Sequence, residues 1–99
     1  MARLHRSGTA AQEATLRLRQ VAAIRDLIGD LERRVQILNI DIYAEEERVR
    51  VFDRSGGGYP VVARMLTARR DNLNVTIAFL ARRLQAISVA IPIAVAEAV

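Results

Sequence analysis

Ninety-nine residues supply material for one domain at most. The composition is 52% hydrophobic but only 4% aromatic with no Trp, which suits a helical seam better than a β-rich core. The net charge is +4 with Arg as the sole cation besides His5; with no Cys and that single His, disulfides, thiolate metal sites, cysteine nucleophiles and histidine acid–base chemistry are excluded.

The opening stretch MARLHRSGTAAQ has no apolar core of the signal-peptide kind, so secretion is not expected. Thr9-Ala10-Ala11-Gln12 has the form of a capping box, which places the start of the first helix at Thr9. Apolar residues then recur at Val21, Ile24, Ile28, Leu31, Val35, Leu38, Ile42, Val49 and Phe52, with Glu45 filling the gap. Their alternating steps of three and four are a heptad seam. Glu13–Arg17, Asp30–Arg34 and Glu46–Arg50 are spaced for i,i+4 ion pairs in the favourable order. Gly29 lowers helix propensity by about 1 kcal/mol against Ala. A helix from Thr9 to Phe52 would be about 66 Å long.

Residues 53–59 read as a hinge, because Asp53-Arg54-Ser55-Gly56-Gly57-Gly58 is turn chemistry with three glycines able to take positive φ. Pro60 is placed at the first position of a second helix, where its missing N–H is harmless. That helix, about 60–91, carries a seam at Val62, Leu66, Arg69, Leu73, Ile77, Leu80, Leu84, Ile87 and Ile91, with a stutter between Arg69 and Ile77. Pro92 stops or kinks it, leaving an apolar tail, 92–99. The apolar run Ala86–Ala96 is shorter than a membrane span needs.

Folding the second helix back on the first aligns Ile42 with Leu73, Leu38 with Ile77 and Val35 with Leu80, each pair of residue numbers adding to 115. The fold class is therefore all-α: an antiparallel two-helix coiled-coil hairpin. In this register Glu45 meets Arg69, and a seam ion pair there would fix the alignment. Ile37 and Ile40 lie off the first seam, and Val75, Phe79, Ala86 and Val89 form a second stripe on the second helix. A second copy, giving a four-helix bundle, or a partner protein would cover it.

No catalytic, metal or cofactor site is expected. The glycine triplet lacks the Lys-Ser/Thr ending of a phosphate loop. Glu45, Glu46 and Glu47 point about 100° apart on a helix and cannot converge on one ion. Ser7, Ser55 and Ser88 have no credible base beside them. Arg64, Arg69, Arg70, Arg82 and Arg83 give the second helix positive character, but the acids of the first helix and the scarcity of aromatics argue against nucleic acid.

The runs Arg19-Gln20-Val21-Ala22-Ala23-Ile24 and Ile28-Gly29-Asp30-Leu31-Glu32-Arg33, then Ala44-Glu45-Glu46-Glu47-Arg48, Tyr59-Pro60, Ala63 and Arg69-Arg70-Asp71-Asn72-Leu73, resemble in order and spacing the flagellar export protein FliJ family of alphaproteobacterial type. The match covers about residues 17–84. The resemblance implies a cytoplasmic component of the flagellar type III export apparatus, with a peripheral position at the inner membrane left open. It implies an antiparallel coiled coil that links the export ATPase, the export gate and export chaperones. The residues around the matching motifs become the candidates for partner contact: Tyr59 at the hinge, Arg70, Asp71 and Asn72 on the second helix, and Glu46, Glu47 and Arg48 on the first. The alternative is a helical-hairpin scaffold or oligomerising adaptor with an unrelated partner.

Overall fold

The computed structural model describes residues 2–50, 52 and 54–90, with side chains from residue 9 onward. The chain is all-α: α1 spans Ala2–Val49 and α2 spans Val61–Val89, and the two pack against each other as an antiparallel hairpin. The expected side-chain roles of His5 and Ser7, and the seam residue Ile91, Pro92 and the tail, lie outside what is described.

The helix ends differ from the expected ones for identifiable reasons. Helix α1 begins before Thr9, so the Thr9–Gln12 capping box falls inside a helix and marks no start. At the other end Arg50 adopts φ 58°, the left-handed conformation that breaks the α-helical run as a C-terminal cap does. Phe52 is thereby left outside the helix and is exposed. Among the described glycines none has positive φ, so the hinge turn uses Arg50 for the conformation expected of Gly56–Gly58. Pro60 precedes α2 instead of opening it: its carbonyl accepts the Arg64 N–H at 3.1 Å, the first helical bond, which is the N-cap role. An Ala90 N–H to Ile87 carbonyl bond of 3.1 Å tightens the last turn of α2.

Two compact units divide the chain, one joining Met1–Ile28 with Leu80–Val99 and the other comprising Gly29–Phe79. In the first, Ala14 and Val21 are buried, while Leu18, Ile24, Ile28, Leu80, Leu84 and Ile87 are half-buried. In the second, Leu31, Leu38, Ile42, Tyr59 and Ala63 are buried. Ile42, at 2% exposure, is the most deeply buried of the large aliphatic side chains among the described residues. Each such aliphatic side chain contributes roughly 1.5–3 kcal/mol through removal from water.

The α2 seam is more regular than the stuttered one read from the sequence. Ala63 is fully buried and Arg70 half-buried, whereas Val62 and Arg69 are exposed. The inward-facing positions are then Ala63, Leu66, Arg70, Leu73, Ile77, Leu80, Leu84 and Ile87, an unbroken alternation of three and four. The register also moves. One side-chain hydrogen bond crosses between the helices, Arg70 Nη1 to Asn39 Oδ1 at 3.1 Å, and a second runs from the hinge to α1, Tyr59 OH to Glu46 Oε2 at 3.1 Å. Their residue numbers, 70 with 39 and 59 with 46, add to 109 and 105, which brackets 108 and not 115. At 108 the α1 positions Glu45, Ile42, Leu38, Val35 and Leu31 align with Ala63, Leu66, Arg70, Leu73 and Ile77. The slip is one heptad. A heptad seam presents equivalent layers after a slip of seven, so periodicity alone cannot choose between the two alignments.

Candidate interaction surface

Four charged or aromatic side chains are gathered where the hinge meets the helices. Tyr59, 4% exposed, donates its hydroxyl to Glu46, which is itself only 7% exposed. Arg54 Nε stands 3.8 Å from the same Glu46 oxygen, and a buried carboxylate requires such partners. The Arg64 guanidinium lies over the Tyr59 ring, 5.5 Å from its centroid, and donates to the Gly56 carbonyl at 3.0 Å. The Tyr59 N–H closes the turn on the same carbonyl at 3.3 Å. The turn is thus tied to both helices through one residue.

This arrangement corrects the expected contact set. Tyr59 and Glu46, two of the candidates for partner contact, are buried against each other where the turn closed by the Tyr59 N–H on Gly56 folds the ring back onto α1. The Glu45–Arg69 pair is not formed. Glu45 is bonded instead to Arg48 on its own helix, Nε to Oε2 at 2.9 Å, and Arg69 is exposed without an ion pair among the described residues. The heptad slip places Ala63, not Arg69, opposite Glu45. None of the three i,i+4 pairs is made; Asp30 pairs with Arg33 and Glu45 with Arg48, and Glu46 turns inward away from Arg50.

The other candidates divide between ties and open surface. Arg70 is held by Asn39 across the seam and by Asp71 Oδ1 beside it at 3.1 Å. Asp71 and Asn72 are exposed, and Arg48 is exposed beside its partner Glu45. Glu47 accepts a 3.0 Å hydrogen bond from the Tyr43 hydroxyl. That bond, and then the carboxylate charge, push the Tyr43 hydroxyl above the usual tyrosine range.

Beside the seam, within the Gly29–Phe79 unit, a shallow groove runs between α1 and α2. Its apolar floor is Leu38, Leu66 and Leu73, and Arg34, Ile37, Asp41 and Arg69 line its sides. Nearer the hinge the same flank is lined by Ala44, Glu45, Arg48 and Val62. Large apolar side chains are also exposed outside the groove. On α1 these include Ile40 and Tyr43; on α2 they include Val61, Met65, Val75, Phe79 and Val89. The α2 stripe expected from Val75, Phe79, Ala86 and Val89 is therefore exposed, as are Ile37 and Ile40 off the first seam, and Val61 and Met65 extend the α2 stripe toward the hinge. Their spacing from Val75 by alternating steps of three and four was the signal that could have included them. No described helix is long and apolar enough to cross a membrane.

No family model matches the chain, and neither the curated proteins nor the solved structures yielded a match.

Proposed function

We propose that this chain is a non-catalytic adaptor that works by holding other proteins on the outer faces of a helical hairpin. The observation that carries this reading is the set of large apolar side chains left in solvent on both helices while the hairpin's own seam is filled. Single exposed apolar residues are ordinary, but a run of them along one helix is a surface for association. The Arg34, Asp41 and Arg69 side chains beside the apolar groove give that flank the charged rim of an interface.

The cellular setting we propose is the flagellar type III export apparatus, with the export ATPase, export gate and export chaperones as partners. Its support is the resemblance in the motifs from Arg19 to Leu73 to the FliJ family, together with a hairpin fold of the kind that role employs. Affinity capture from motile cells, combined with a deletion strain scored for swimming and for export of filament subunits, tests it. Recovery of export components and loss of motility are the expected results. Normal swimming and export in the deletion strain, with no export component captured, overturn the flagellar setting.

A further inference from the structure

Helix α2 carries two heptad repeats on different faces. The inward repeat fills the hairpin seam through Ala63, Leu66, Arg70, Leu73 and Ile77. The outward repeat, inside the Gly29–Phe79 unit, is Val61, Met65, Ala68, Asn72, Val75 and Phe79. Its steps are four, three, four, three and four, and every member is exposed: Val61 70%, Met65 66%, Val75 69% and Phe79 58% among the large ones. Scattered surface apolars do not keep such a period.

We propose that this outward face is a second coiled-coil seam whose occupant is the same face of a second copy of the chain, parallel and in register. Asn72 selects that occupant. It sits in the middle of the apolar run, at the position of the heptad where Asn pairs with its own symmetry mate in parallel two-stranded coils. Its backbone carbonyl accepts the Thr76 hydroxyl at 3.1 Å, while its side-chain amide makes no hydrogen bond among the described residues. Against an apolar partner surface that amide would be buried without a partner. Against Asn72 of the second copy, the N–H of one amide donates to the carbonyl oxygen of the other.

The flanks permit this alignment. A parallel register sets Asp71 beside Thr76 of the second copy, and Arg64 toward Arg69. The latter like-charge approach is relieved because Arg64 is drawn back onto the Tyr59 ring and the Gly56 carbonyl. Two copies bring together eight large apolar side chains, on the order of 1,000 Å² of surface, the size at which specific interfaces begin. The proposal stands independently of the flagellar setting.

The absence of Cys makes the test direct. The full chain should sediment as a concentration-dependent dimer at micromolar and higher concentrations. Met65→Glu with Phe79→Glu, both at exposed sites, should keep the helicity and weaken the dimer by at least about tenfold. Val75→Cys should cross-link to itself on mild oxidation, because parallel in-register packing brings Val75 onto Val75, while Ile40→Cys on α1 should not. A chain that remains monomeric throughout, including one that instead binds a different protein or lipid vesicles through this face, overturns the proposal. So does a dimer indifferent to the double substitution, or one that cross-links as readily through position 40 as through 75.

Discussion

The Tyr59 hydroxyl donates a 3.1 Å hydrogen bond to the Glu46 carboxylate thirteen residues earlier, with both side chains buried. Removing the hydroxyl in Tyr59→Phe leaves a buried carboxylate with Arg54, at 3.8 Å, as its remaining partner. The expected loss is about 1–3 kcal/mol, read as a lower urea midpoint. Combining Tyr59→Phe with Glu46→Leu should recover much of that loss, since no unsatisfied buried charge remains. An unchanged midpoint in Tyr59→Phe would mean that the hydroxyl stays hydrated.

The second prediction concerns which pairs are coupled. Asn39→Ala and Arg70→Ala remove the two ends of one cross-seam hydrogen bond. Their double-mutant cycle should show an interaction of about 0.5–1.5 kcal/mol. Glu45→Arg with Arg69→Glu should be additive within about 0.5 kcal/mol, because a slip of one heptad sets those positions about 10 Å apart along the helix. Rescue in the charge exchange would restore the register of 115.

Tyr43 supplies a spectroscopic reporter. Its hydroxyl donates to Glu47, so the neutral form is favoured and deprotonation occurs above the usual tyrosine range. Any stability from this contact is present below the unfolded pKa near about 10 and is lost as pH rises through the higher folded value. Ultraviolet titration in a Tyr59→Phe background isolates Tyr43, the one remaining tyrosine. Glu47→Gln should move its midpoint down; an unmoved midpoint would show that the hydrogen bond is not made in solution.

Two substitutions should stabilise the hairpin. A Cβ added at Gly29 meets only the far end of Arg33 at 3.6 Å, an ordinary contact, so Gly29→Ala should gain about 1 kcal/mol from helix propensity. The Thr67 hydroxyl is buried with no hydrogen-bond partner among the described residues. Thr67→Val keeps the branched shape and removes the unsatisfied group, for an expected gain of about 1 kcal/mol. Thermal denaturation of each variant is the check, and a lowered midpoint for either contradicts the local geometry.

Much of the hairpin was legible because α1 states its seam openly: Val21, Leu31, Leu38 and Ile42, picked out by spacing, are buried. The α2 seam departs at two positions from the one its spacing predicts, for a physical reason. Val62 and Arg69 look like seam residues if size and even spacing are weighed apart, yet the small Ala63 lies deeper because close helix contact favours it. With Ala63 and Arg70 in the seam the stutter disappears. Register was not legible at all, since a slip of seven repeats the same layers; the Arg70–Asn39 bond between the helices distinguishes the two alignments. Tyr59 reads from sequence as an exposed hinge aromatic, and only the turn geometry through Gly56 shows it folded inward. Of the candidate surface, the exposed stripe on α2 was visible as a second period. The open groove beside Leu66 and Leu73 was not, because grooves depend on register.

The register decides which faces of the hairpin are free to meet a partner, and thiol pairs in this Cys-free chain measure it most directly. Two double variants, Glu45→Cys with Ala63→Cys and Glu45→Cys with Arg69→Cys, would be treated with a short thiol cross-linker and compared for the rate of intramolecular linkage. The hairpin described above requires rapid linkage between positions 45 and 63 and slow linkage between 45 and 69. Preferential linkage between 45 and 69 would contradict it, return Arg69 to the seam and close the groove assigned here to partners.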